Sequence, residues 1–467
     1  MSKKPMYLKR RADSKIALLI LFILFMFAAW YFLPRKEVVQ SEPELPQFEI
    51  SESVFQGRVE EIIAPKSGIK AYYMFQEGGL TAMSFNFVQT GFAYEDKGYE
   101  GIANIAAQTI KEGAGRWSAK ELRNLLGNSG IKISFAVDQD DFSGQITFPN
   151  AQRADAVKYL REMLLNPHFE DKYVENAKAN TIRAIEAQKE NPSSELALAF
   201  NQAVFGDFAY ARNILGEVDT VTHLNRRSLA NFVRKNLGKN KLFVGVVSNL
   251  NREEAAEMID AVFAKLPDVE IKNIGEADIN WQTPDINLNR NIPQDIALYA
   301  AQGTCRTCED FYPLYIANYI LGGAGLNSRL NQTLREQENL TYGISSWLDL
   351  NDKANLIKIS FAATDENMSK ARQLFDELWQ KAGREGFTQE ELNSAKNHLV
   401  ASHNLRFAST IGISDMLVYM QRYNLGIDFL QKRNQLVKSV TLQQLNQAAQ
   451  KYFNHNLLRA EIGNLKK

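Results

Sequence analysis

Residues Leu321–Leu350 read LGGAGLNSRLNQTLREQENLTYGISSWLDL, and the hydrophobic period changes partway along. Leu326, Leu330 and Leu334 recur at every fourth position, which is one apolar stripe of a helix. Tyr342, Ile344, Leu348 and Leu350 then fall on alternate positions, which is one face of a strand. The stretch therefore predicts a glycine turn at Gly322 and Gly323, a helix over Leu326–Arg335, a short polar loop and a strand over Tyr342–Leu350. Arg335 falls near the helix C-terminus, where the dipole favours a cation. A chain reversal between helix and strand would bring its guanidinium toward the Tyr342 phenol.

Four pieces of this stretch form a pattern: Gly322-Gly323, Ser328-Arg329-Leu330, Leu334-Arg335-Glu336 and Leu340-Thr341-Tyr342. Together they resemble the C-terminal half of the pitrilysin/insulinase-type zinc peptidases, which include the mitochondrial processing peptidase. The resemblance implies that Arg335 and Tyr342 correspond to the pair that reaches substrate at the zinc centre. It also implies substrate-binding roles for Arg329, Gly322 and Gly323. The implied fold is α+β. Two tandem, similar α/β-roll domains, each a mixed but mostly antiparallel sheet covered by helices, would form half of a clamshell.

The first half repeats the same order of elements. Strand-like segments near 69–75 and 83–89 precede GIANIAAQTIKEG, Gly101–Gly113, in which Ile102, Ile105, Ala106 and Ile110 make a helical stripe. Ser118 and Glu121 have the spacing of a capping box for a second helix, and residues 131–137 and 142–148 alternate as a hairpin. Long helices follow near 151–165, 171–190 and 194–205. In the peptidases that this half also resembles, the first helix carries His-x-x-Glu-His. Against that motif the key positions hold Asn104, Ala107 and Gln108, and the later glutamate ligand falls on Ala184, counted back from Asn191-Pro192. Amides are weak neutral ligands and alanine supplies no base to activate water. These are degenerate metal positions, so no metal or other cofactor is expected in this chain.

Composition narrows the rest. The chain has 467 residues and a formal net charge of zero, which suits more than one domain and offers no basic surface for nucleic acid. Its five histidines form no metal-binding pair at helical spacing. Cys305 and Cys308 are spaced Cys-x-x-Cys; one such pair cannot complete a four-ligand zinc site. A loop disulfide is the first reading, with free thiols and redox activity as alternatives.

Ile16–Leu33 is an unbroken apolar run behind Lys3, Lys4, Lys9, Arg10, Arg11 and Lys15. It reads as a transmembrane anchor with a cytoplasmic N-terminus; a cleaved signal peptide is the rival. The expected divisions are a basic tail (1–15), an anchor (16–33), a stalk (34–50), an N-terminal peptidase-like domain (51–265), a linker (266–293) and a C-terminal peptidase-like domain (294–467). The expected location is a bacterial inner membrane, single-pass, with the body in the periplasm.

In the family resembled, zinc-bearing and zinc-free chains pair. The implied function is a membrane-anchored, zinc-free subunit, inactive alone. It would lend Arg335 and Tyr342 to peptide binding and transition-state stabilisation at a partner's zinc. Its partners would be that zinc-bearing subunit, a peptide substrate and the membrane. The alternative is a non-catalytic scaffold or peptide-binding subunit of a membrane-associated complex.

Overall fold

Alternating apolar residues build two sheets with the same internal order. The computed structural model describes residues 57–403 and 407–465. The first sheet uses β1 (Val59–Ile63), β2 (Lys70–Phe75), β3 (Leu80–Phe87), β4 (Lys132–Val137), β5 (Phe142–Pro149) and β6 (Leu242–Ser248), ordered β1-β2-β6-β3-β5-β4. The second uses β7 (Ile286–Asn289), β8 (Asp295–Gln302), β9 (Ile344–Leu350), β10 (Asn355–Ala363) and β11 (Leu458–Gly463), ordered β7-β11-β8-β10-β9. Each sheet has a single parallel pairing, β2 with β6 and β7 with β11; all other pairings are antiparallel. The second sheet thus repeats the first from β2 onward, as the tandem pattern of the sequence predicts. One difference is β7, which lies inside the stretch read as a linker.

Helices cover both sheets. The Ile102–Thr109 helix buries Ile102, Ile105 and Ala106 against the first sheet, together with Phe85, Phe142 and Ile146. Ser118 and Glu121 make the capping box at the start of the Ala119–Asn128 helix. Asn191 caps the Pro192–Phe205 helix, with proline in the first turn, where its missing N–H costs nothing.

Two helices change partners. Leu196, Phe200 and Val204 of Pro192–Phe205 pack on Leu298, Leu356 and Ala460 of the second sheet. Conversely, Ile413, Leu417 and Met420 of the Thr410–Arg422 helix pack on Tyr72, Met74 and Val247 of the first. This approach is close. A Cβ on Gly245 would lie 2.4 Å from the Ser414 carbonyl oxygen and 2.8 Å from Leu417 Cβ, so only glycine fits there. Each sheet is therefore faced by a helix from the other half of the chain.

Among the described residues, no helix is long and apolar enough to cross a membrane. The described residues therefore give no support to the expectations of an N-terminal transmembrane helix, a membrane partner and a single-pass inner-membrane protein with a periplasmic body. The run Ile16–Leu33 that carried them lies outside the described residues.

Candidate functional site

The degenerate metal positions meet one another. Asn104 and Gln108 are one turn apart on the Ile102–Thr109 helix, and Gln108 Nε2 donates to Asn104 Oδ1 at 3.2 Å. Both amides also donate to Thr181 Oγ1, at 3.4 Å from Asn104 Nδ2 and 3.3 Å from Gln108 Nε2. Thr181 is buried on the Asp171–Glu190 helix, which packs along the first. Ala107 is buried beside them, while Ala184 is exposed about one turn further on. Thr181 was not singled out from the sequence. Its signal is its place three residues before Ala184, nearly one helical turn, which puts it on the same face.

The result is a neutral cluster of two amides and a hydroxyl that satisfy one another. It contains neither a carboxylate nor an imidazole, so it offers no anionic ligand and no general base. Among the described residues no group of three or more His, Cys, Asp or Glu side chains could hold a metal ion.

A carboxylate does brace this helix from outside. Glu95 accepts N–H bonds from Gly101 and Ala103, each at 2.8 Å, at the N-terminus of Ile102–Thr109. Burial pushes its carboxyl up to about 8 against the opposing pull of those two donors. It is a buried cap and makes no contact with Asn104 or Gln108 among its hydrogen bonds.

Beside the cluster runs β4, an edge strand whose one strand neighbour among the described residues is β5. Ile133, Phe135 and Val137 turn their side chains toward the core, and Lys132, Ser134 and Ala136 are exposed. Asp138 N donates to Asp141 O at the hairpin turn. By the alternation of an antiparallel ladder, the N–H and C=O groups of Ile133, Phe135 and Val137 then face away from β5. The strand ends at a cleft of about 860 Å³, lined among others by Val137, Ile185, Leu198, Ile214 and Leu288, with Arg212 and Glu195 at its polar positions.

The second-half residues are arranged differently from one another. Arg329 is held inside the fold: its Nε and Nη2 donate to Glu391 at 2.5 and 2.6 Å, and Nη1 donates to the Gly386 carbonyl at 3.0 Å. Gly322 permits close packing, since a Cβ there would lie 2.5 Å from Ser346 Oγ; Gly323 follows it in the same π-helical turn, Tyr319–Gly323. The predicted Leu326–Arg335 helix is a short α-turn at Arg329–Asn331 running into a π-helical segment, Gln332–Gln337. Arg335 is 41% exposed and lies 3.4 Å from Glu336. Tyr342 precedes β9 instead of opening it, and is 79% exposed. Its loop is nonetheless firmly held: Thr341 Oγ1 donates to the Ala362 carbonyl at 2.6 Å, and Asn331 accepts from Ile344 N at 3.2 Å. Cys305 and Cys308 are joined as a disulfide.

Two family models match in tandem. One described as insulinase, peptidase family M16, covers residues 82–218, and one described as the peptidase M16 inactive domain covers residues 223–399. The chain is related to the M16 peptidases. A non-peptidase homolog, YmxG, from Helicobacter pylori is 23% identical over 81% of this chain and 88% of its own. The crystal structure of a peptidase M16 inactive domain from Pseudomonas fluorescens shares the fold, with a TM-score of 0.79 at 21% identity over 87% of this chain and 98% of that one. A chain of complex III2 from Candida albicans does so with a TM-score of 0.72 at 13% identity, over 87% of this chain and 96% of that one.

The M16 relationship and the amide cluster fit a non-catalytic chain. The reading of a membrane-anchored subunit that lends Arg335 and Tyr342 to a partner's zinc is corrected on this ground. Its anchor has no counterpart among the described residues, and the zinc-lacking M16 domain fits the non-catalytic alternative better.

Proposed function

We propose that this chain is a zinc-free, non-catalytic M16-type module that holds extended peptides without cutting them. The observation that carries the reading is the neutral Asn104–Gln108–Thr181 cluster lying beside a free sheet edge. Peptide main chain would pair with the outward groups of Ile133, Phe135 and Val137, adding a strand to the sheet. An apolar side chain of the peptide would enter the cleft at the end of β4. Arg335 and Tyr342, on a braced loop with exposed heads, are assigned as contacts to the peptide or to a second M16-type chain. The proposed modules are residues 51–265 and 294–467, joined through 266–293.

The test is binding of a labelled unfolded peptide, read by fluorescence anisotropy. Val137→Pro deletes one outward N–H and spares the ladder to β5. It should weaken binding about tenfold or more, the loss of roughly one well-made hydrogen bond, while the melting temperature stays near that of the parent. Equal binding by parent and variant would remove β4 as the docking edge. A structural-subunit reading is favoured by the fold shared with the complex III2 chain. Co-purification in a large assembly, with no measurable peptide affinity, would select it.

A further inference from the structure

The Cys305–Cys308 disulfide has little structural work to do. The two residues are separated by three positions, so the bond closes a very small loop and removes little freedom from the unfolded chain. The loop is also fastened by other means. Thr304 Oγ1 donates to Asp310 Oδ1 at 2.5 Å, and Lys451 Nζ and Tyr452 Oη both reach Asp310 Oδ2 at 2.6 Å. Cys308 N donates to the Cys305 carbonyl at 3.2 Å, and Phe311 N to the Cys308 carbonyl at 3.1 Å. The Arg306 guanidinium lies 4.1 Å from the centre of the Phe311 ring and 4.9 Å from that of Tyr419. Neither cysteine belongs to a hydrophobic cluster, and Cys308 is exposed.

The surroundings suit exchange chemistry. The pair stands just before the N-terminus of the Phe311–Asn318 helix, whose dipole favours a thiolate. Thr307 Oγ1 is 3.7 Å from Cys305 Sγ, so its hydroxyl can donate to sulfur that has gained charge. Cys308 is thus the sulfur open to attack, and Cys305 is the supported leaving group.

We propose that Cys305–Cys308 is a thiol–disulfide exchange site that takes two electrons from a dithiol. One thiolate of the dithiol attacks Cys308 Sγ, the Cys305–Cys308 bond breaks, and Cys305 leaves as a thiolate that takes up a proton. The second thiol of the donor, deprotonated, attacks the mixed disulfide. Cys308 departs as a thiolate that takes up the second proton, and the donor leaves as a disulfide. The chain gains two electrons and two protons, and the donor loses the same. This site is independent of the peptide-holding reading.

The full chain tests it. Dithiothreitol in native buffer, followed by iodoacetamide and peptide mass spectrometry, should alkylate both cysteines, with the thermal midpoint moving by less than about 4 °C. A disulfide that resists until denaturant is added, or a larger drop in midpoint on reduction, would overturn the proposal. A reduced Cys-x-x-Cys protein added in place of dithiothreitol separates a protein donor, which reacts faster at equal concentration, from a small-molecule one. Brief exposure of the parent chain to reduced glutathione, quenched with iodoacetamide, should place glutathione on Cys308 and leave Cys305 alkylated; glutathione on Cys305 would overturn the assignment of Cys308 as the attacked sulfur.

Discussion

At the residue scale, the chemistry turns on what two helices hold between them. Asn104, Gln108 and Thr181 are neutral, and their mutual hydrogen bonds leave no charge to attract a cation. The acidic Glu95 is committed to the helix N-terminus. Glu95→Gln turns an NH2 group toward one of two backbone N–H donors, so it should cost about 1–3 kcal/mol in urea denaturation. Its pH dependence has a definite sign. Burial holds the Glu95 carboxyl up to about 8, above its value in an unfolded chain. The stability it contributes is complete at pH below the ordinary carboxylate range and is lost as pH rises through about 8. The parent's advantage over Glu95→Gln should therefore shrink from pH 5 to pH 8; an advantage that grows over that range would contradict the assignment.

At the element scale, the exchanged helices rest on tight spacing. Gly245→Val would drive a side chain into the Ser414 carbonyl and Leu417, and should destabilise by about 1–3 kcal/mol or more by overpacking. A denaturation midpoint unchanged by this substitution would mean that Thr410–Arg422 does not sit on β6. Much at this scale was readable beforehand. The Asp171–Glu190 helix falls on its predicted limits, because its apolar period is long and Asn191-Pro192 stops it. The capping box at Ser118 marks a true helix start, since its side chain satisfies a backbone N–H that the helix leaves open. Other elements were hidden. β7 is only Ile286–Asn289 and draws its order from β11, which is distant in sequence. The Leu326, Leu330, Leu334 period predicts one α-helix, yet the chain widens to π-helical turns there, which side-chain spacing alone does not reveal. Nothing in a linear pattern said that Pro192–Phe205 and Thr410–Arg422 would change sheets, because periodicity identifies an apolar face and not its partner. At the candidate site, the sequence itself places amides at Asn104 and Gln108 and an alanine at Ala107, while Thr181 emerges only from the packing of two helices.

At the scale of the whole molecule, the partly buried Arg422 ties the halves. Arg422, at the end of an exchanged helix, donates to Asp141 beside the β4–β5 turn at 3.0 Å and to Asp352 beside the β9–β10 turn at 2.5 Å. Next to it, Asp140 accepts from Tyr210 Oη at 2.6 Å and from Asp352 N at 2.9 Å. Burial pushes Asp141 up to about 6 even with Arg422 pulling the other way. Arg422→Met should cost about 3–5 kcal/mol at neutral pH, because it leaves the buried Asp141 and the partly buried Asp352 without a cation. That cost should shrink as pH falls from neutral toward about 6, because Asp141 without its cation takes up a proton at a higher pH than it does in the parent. Urea denaturation of parent and variant at pH 5 and pH 7.5 reads the difference, and an equal cost at both would contradict this account of the tie.

The account as a whole holds that an M16-type fold without metal chemistry still grips peptides. Native mass spectrometry of the full chain, mixed with zinc and an unfolded peptide, tests both halves of that statement in one spectrum. The predicted species is chain plus intact peptide, with no stoichiometric zinc. A zinc-loaded chain accompanied by peptide fragments, or a chain with no peptide bound, would contradict it.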